Sequence, residues 1–123
     1  MNYRKLGRSG LKISPLCLGT MLFGRETNEG DSQAIIASAK DSGINFIDTA
    51  DTYVRGESER LVGRCIRSTR NHWVLATKLA SKLTDDPNTG GLSRRWVMQA
   101  CDDSLQRLGV DHIDLYYLHK EDP

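Results

Sequence analysis

The chain has 123 residues, a formal net charge of +1, 38% hydrophobic and 27% charged residues. That length suits one compact unit rather than two, and the composition is that of a globular chain rather than a disordered one. Near-neutral charge gives no reason to expect nucleic acid or a membrane as partner, and no apolar run approaches the ~20 residues that a bilayer span needs. Three cysteines without C-x-x-C spacing, behind an N-terminus that lacks a leader-like apolar segment, point to a reducing, cytoplasmic setting.

The first elements follow from turn chemistry. Lys5-Leu6 and Leu11-Lys12-Ile13 flank "GRSG", which predicts a β-hairpin within residues 1–15. After Pro15, the run Leu16-Cys17-Leu18 ends at Gly19-Thr20 and reads as the first core strand. "GDSQAIIASAKDSG" has helical spacing at Ala34, Ile35 and Ala39, with Asp31 or Ser32 to cap its start and Gly43 its end. "INFIDT" is a buried strand. "ESERLVGRCIRST" is a second helix, with Leu61, Val62, Cys65 and Ile66 on one face. "HWVLATKLA" is a strand carrying Lys78 at its end, followed by the turn-rich loop "SKLTDDPNTGG". The third helix is capped by Ser93, striped by Val97, Cys101, Leu105 and Leu108, and stopped by Gly109. "HIDLYYLH" is a fourth strand ending at His119. Cys65 and Cys101 fall on apolar helix faces and read as packing residues.

Strands alternating with single helices imply parallel strands joined by right-handed crossovers. The class is α/β, either a doubly wound sheet or part of a (β/α)8 barrel. A dinucleotide fold of the first kind would place G-x-G-x-x-G after the first strand, where "GTMLFG" stands instead. No phosphate-loop motif of the form G-x-x-x-x-G-K-[ST] is present.

Polar residues able to do chemistry recur at the C-terminal ends of successive strands: Asp48, Lys78 and His119. Ligands bind at that edge in parallel α/β folds. Neighbouring strands lie ~4.8 Å apart and side chains alternate along each, so Lys78 should sit between Asp48 and His119 on one face. Tyr53, on the loop after the second strand, can fold back over them. Each has a plain structural reading when taken singly: a turn cap, a solvated strand end, a surface aromatic, a histidine at a sheet edge. Their convergence on one edge favours chemistry. A tyrosine with a pKa near ~10 is a poor acid at neutral pH. A lysine ammonium beside it favours the phenolate, and a carboxylate would hold that lysine charged. Such a set could protonate a carbonyl oxygen as hydride reaches the carbon.

In this pattern the chain resembles the N-terminal part of an aldo-keto reductase. The matching segments are "LGRSGLKISPLCLGTMLFG", "GINFIDTADTYVRGESERLVG", "LATKL" and "SLQRLGVDHIDLYYLH", in the family's order from residue 3 to 119. The resemblance implies a TIM-type (β/α)8 barrel. Its first four strands and three helices, with the hairpin of residues 1–15 at the barrel bottom, make residues 1–123 a single partial domain. It implies Asp48, Tyr53, Lys78 and His119 as the catalytic tetrad, Tyr53 being the general acid that serves reduction of an aldehyde or ketone. It implies NADP(H) as cofactor, with Gly19, Thr20, Met21 and Asp48 near the nicotinamide end. No residue set is assigned to a metal. The family's second half carries most contacts to the cofactor's phosphates, so these residues alone are expected to be inactive and to self-associate through open barrel edges. Arg64, Arg67, Arg70, Arg94 and Arg95 read as solvated helix faces rather than a phosphate site. The alternative reading is a non-catalytic half-barrel acting as a remnant or as an interaction or regulatory module.

Overall fold

A computed structural model describes residues 1–122. The hairpin forms from β1 (Arg4–Lys5) and β2 (Lys12–Ile13), paired antiparallel. Then come β3 (Leu18–Gly19), α1 (Glu29–Asp41), β4 (Phe46–Asp48), α2 (Glu57–Ile66), β5 (Val74–Leu79), α3 (Arg94–Leu108) and β6 (Leu115–Leu118). Short 3-10 turns at Tyr53–Gly56 and Arg67–His72 flank α2. The four core strands are parallel in the order β3-β4-β5-β6, each next to its predecessor in sequence. The alternation of elements predicts these parallel strands, and the sheet is part of a (β/α) barrel, as the resemblance implies.

The two faces of the sheet have different covers. Ile47 and Leu75 point outward to a core completed by Ile36, Leu61, Val62 and Ile66 of α1 and α2. Leu79 packs outward on Trp96 and Ala100 of α3, with Tyr116 beside them. On the inner face, Phe46, Val74 and Ala76 are covered at one end by Ile13, Leu6 and Leu11 of the hairpin. The hairpin therefore closes the bottom of the inner face and leaves the opposite end open.

Helices α2 and α3 approach closely because Gly63 has no side chain. A Cβ there would lie 1.9 Å from the Leu108 carbonyl oxygen. Burial of α3 is offset by one residue from the expected stripe. Trp96, Ala100, Ser104 and Leu108 face the sheet fully, while Val97, Cys101 and Leu105 are half-buried. The i, i+4 row tolerates a serine whose hydroxyl accepts from the half-buried Arg107. In α1, Asn28 rather than Asp31 or Ser32 is the cap. It sits in extended conformation and its side chain accepts from the Asp31 amide, so the helix begins before the residues that looked like its start. Ser32, Ile36 and Ala39 face inward there, and Ala34 and Ile35 are exposed. Strand β3 is also shorter than expected, and Leu16 and Cys17 lie exposed before it.

Candidate active site

Parallel register brings the strand ends together. Gly19 pairs with Asp48, Asp48 with Ala76, and Lys78 with Tyr117. The His119 amide extends the last ladder by donating to Leu79 O at 2.7 Å. Asp48 lies two residues after Phe46, Lys78 two after Ala76, and His119 two after Tyr117. Side-chain alternation thus puts all three on the inner face, at the end the hairpin does not close.

Lys78 is the centre of the arrangement. Its Nζ donates to Asp48 Oδ2 at 2.5 Å, to Thr49 O at 2.8 Å and to Tyr53 Oη at 3.0 Å. An ammonium has three donors, so every one is occupied and the group is fixed in direction. Burial works against the charge, but the hydrogen bonds to Asp48 and Tyr53 outweigh it, and the ammonium is held above the usual lysine range. The phenol oxygen accepts from Lys78, which leaves its own hydrogen to be donated elsewhere. The His119 ring stands edge-on to the Tyr53 ring, with centroids 5.9 Å apart. Burial, then the Lys78 charge, pull its imidazole below the usual histidine value, so it is neutral at neutral pH. Its Nδ1 is buried without a partner.

Tyr53 arrives through an unusual turn. Its amide donates to Ala50 O at 3.2 Å, and Val54 and Arg55 follow with φ of 48° and 54°. Two successive non-glycine residues in the left-handed region are costly for L-residues. The turn then passes through Gly56 at φ 86°, where a Cβ would lie 2.7 Å from Arg107 Cδ. That gap lets Arg107 reach the fully buried Glu59, donating to its Oε2 at 2.5 Å, while Thr77 donates to Glu59 Oε1 at 2.6 Å.

The residues expected at the cofactor divide. Gly19 and Met21 are exposed, Met21 at 59%, and form a ledge beside the partly exposed Asp48 carboxylate. Thr20, between them in the chain, is fully buried. Its hydroxyl donates to Asp48 O at 3.0 Å and lies 3.1 Å from Ser58 Oγ, which is 3.0 Å from Thr49 Oγ1. This hydroxyl cluster anchors the ledge from behind. Arg70 departs from expectation. It is no solvated helix residue but donates to Trp73 O at 2.8 Å, His112 O at 3.0 Å and Asp114 Oδ2 at 2.7 Å, at the opposite end of the sheet. Asp51 and Glu59, which are buried, and Arg107 and Tyr116, which are half-buried, form a polar layer behind the tetrad that was not visible in the sequence. Their contacts join residues up to 48 positions apart, for which no local pattern exists.

Among the described residues, no helix is long and apolar enough to cross a membrane. The model of the aldo/keto reductase family matches residues 15–123. Uncharacterized oxidoreductase YqkF of Bacillus subtilis is 43% identical over 122 residues, covering 97% of this chain and 39% of that protein. A rice protein named "Probable voltage-gated potassium channel subunit beta" is 36% identical over 126 residues, covering 99% of this chain and 38% of that protein. In structure, the holo form of an aldo-keto reductase from Bacillus halodurans superposes with a TM-score of 0.83 at 37% identity, covering 96% of this chain and 40% of that one. The chain therefore spans about two fifths of the length of these relatives. It belongs to the aldo/keto reductase family of oxidoreductases.

Proposed function

We propose that the chain supplies the acid half of an NADP(H)-dependent reduction of an aldehyde or ketone. The observation that carries this reading is the saturated Lys78 ammonium, which holds Tyr53 Oη as an acceptor at 3.0 Å and leaves the phenol hydrogen free to donate. Tyr53 gives that proton to the carbonyl oxygen of the substrate. Lys78 stabilises the charge left on Oη, and Asp48 keeps Lys78 in place. Neutral His119, edge-on to Tyr53, orients the same substrate oxygen. The reduced nicotinamide supplies the hydride to the carbon when bound. The ledge of Gly19 and Met21 beside Asp48 fits its ribose end, with the Asp48 carboxylate available to a ribose hydroxyl. Arg70 and Arg107 are committed to Asp114 and Glu59 inside the fold, and Arg64 pairs with Glu29 at the surface. The phosphate contacts are expected from the rest of a full barrel, so NADPH binding by these residues alone is expected to be weak.

The test is NADPH-dependent carbonyl reduction by the chain within a complete barrel, compared with Tyr53→Phe. General acid catalysis contributes ~10²–10⁴-fold, and a loss of that size is expected with cofactor affinity little changed. Activity within a few-fold of the parent would remove Tyr53 from the mechanism. The name of the rice relative favours a second reading, in which the half-barrel serves as a regulatory or interaction module. Full cofactor binding without turnover of any carbonyl would support it.

We further propose that these residues alone self-associate. β3 and β6 each have one neighbour in the sheet, and Leu118 on β6 is 62% exposed. Open edges with apolar cover pair with other chains. Sedimentation velocity should show a species larger than the monomer. A monodisperse monomer that unfolds cooperatively would count against it.

A further inference from the structure

Asp51 is 1% exposed, and neither of its carboxylate oxygens has a hydrogen-bond partner. Its backbone, by contrast, is tied directly to the tetrad. Its amide donates to Lys78 O at 3.2 Å, and two residues on, the Tyr53 amide donates to Ala50 O at 3.2 Å. The residue thus stands on the start of the turn that carries the phenol. We infer that Asp51 is a positioning residue for the Tyr53–Lys78 pair, acting through the protonation state of its carboxyl on the turn that carries Tyr53.

The charged and titratable groups around this carboxyl come from α2, α3, β5 and β6, and Arg55 and Lys82 line the same cavity. From α2 comes Glu59, whose oxygens are taken by Arg107 and Thr77. From α3 comes Arg107, held by Glu59 and also donating to Ser104 Oγ at 3.1 Å. From β5 comes Lys78, whose three donors are all in use. From β6 comes Tyr116, whose hydroxyl is itself buried with no partner. No side-chain donor is therefore directed at Asp51 in this geometry, and the adjoining Thr52 amide only partly offsets the burial. A buried carboxylate without a donor is strongly disfavoured relative to its neutral form. Burial first, and the neighbouring Glu59 charge second, push the Asp51 carboxyl up to about 6.

This geometry suits the neutral carboxyl better than the ionised one. Once ionised, Asp51 needs a donor. The candidates are the unpartnered Tyr116 hydroxyl, Arg107 drawn off Glu59, and Arg55, which is exposed and lines the same cavity of about 380 Å³ as Asp51 and Arg107. Reaching any of them requires residue 51 or the left-handed turn at Val54–Arg55 to move. Tyr53 lies between the two, so its ring must feel the change.

The experiment is a pH titration from 4 to 8 by NMR, with carbon-labelled aspartate carboxyls and tyrosine rings. Tyr53 is assigned with Tyr53→Phe. The Asp51 carboxyl signal is expected to titrate near pH 6, and the Tyr53 ring signals to shift with the same midpoint. Asp51→Asn should remove that inflection from the Tyr53 signals. His119→Gln should leave it in place, since His119 titrates separately and below its usual value. Should Asp51→Asn fail to fold, Tyr116→Phe serves instead: loss of its hydroxyl should raise the Asp51 midpoint by removing a buried, unpartnered donor. Titration of Asp51 in the ordinary aspartate range would overturn the inference. So would a Tyr53 inflection that survives Asp51→Asn, or one that vanishes in His119→Gln. The inference rests on Tyr53 as the working acid, but the titration needs no turnover. If Tyr53→Phe left reductase activity intact while the NMR coupling held, the proposed function would fall and the coupling would stand.

Discussion

At the N-terminal ends of the strands, Asp114 Oδ2 accepts from Leu75 N at 2.9 Å and from Arg70 at 2.7 Å. At the same end, Asn45 Oδ1 accepts from Ser14 N at 2.8 Å and its Nδ2 donates to Lys12 O at 3.0 Å. At the C-terminal ends, both Asp51 oxygens, Tyr116 Oη and His119 Nδ1 are buried without partners. The backbone divides the same way. Among the described residues, all three non-glycine residues with positive φ, Val54, Arg55 and Ala80, follow C-terminal strand ends. One end joins strands by side-chain-to-backbone bonds that any stable sheet could use. The other holds unpaired groups and strained turns, features that concentrate where structure is arranged for chemistry. The unpaired Nε of Arg70 is the exception at the bottom, on a residue whose other donors reach three acceptors.

This contrast predicts opposite phenotypes. At the top, Tyr53→Phe should remove activity and leave stability close to the parent. At the bottom, Asp114→Ala strips the acceptor from Leu75 N and the partner from Arg70, whose side chain is 13% exposed. Breaking a mostly buried pair costs about 3 kcal/mol or more. Urea denaturation should show that loss, with activity per folded molecule unchanged. A fall in turnover without a fall in stability would erase the division between the two ends.

The next effect is smaller and depends on pH. Burial pushes the folded Asp51 carboxyl up from the ordinary 3.8 to about 6, so the folded state holds its proton more tightly. Its burial is harmless below pH 4. Stability is lost as pH rises from about 4 to 6, and the loss persists above that. Asp51→Asn should be more stable than the parent at pH 7.5 by about 3 kcal/mol, with the difference vanishing towards pH 3.5. The depressed His119 works in the opposite sense, losing stability as pH falls, so the comparison must be made as variant minus parent at each pH. A constant difference from pH 3.5 to 7.5 would show that the carboxyl is already satisfied.

How legible each end was in the sequence follows from the range of its contacts. Asp48, Lys78 and His119 could be placed because they end consecutive strands, and period-two alternation with sequential parallel order fixes both face and neighbour. Tyr53 was legible as a loop residue able to fold back, but its left-handed turn was not, since Val54 and Arg55 are residues that avoid that region. The Asp48–Lys78 bond needed only strand order. The Glu59–Arg107 pair needed the helix contact made by Gly63 against Leu108, which leaves no periodic trace. Arg70 looked like helix surface because it follows α2, and the 3-10 turn that redirects it carries no clear signature. Thr20 matched a ligand-facing segment, yet a two-residue strand gives too little alternation to decide which way its hydroxyl points.

The smallest effect tests the strain itself. Ala80 has φ of 123°, is 1% exposed, and accepts from Gly91 N at 2.8 Å, two residues beyond Lys78. A non-glycine residue in such a region stores about 1–3 kcal/mol. Ala80→Gly releases that strain and adds back roughly 0.5–1 kcal/mol of unfolded-chain entropy. The net expectation is a gain of about 1 kcal/mol in stability. At Ala76, inside β5 with ordinary backbone, the same change has no strain to release and should lose about 1 kcal/mol. Opposite signs at positions four residues apart would show that the sheet bears strain where it ends beside the tetrad and not within the strand. Equal losses at both would mean that Ala80 is held without cost, and the contrast between the two ends would then rest on the unpaired polar groups alone.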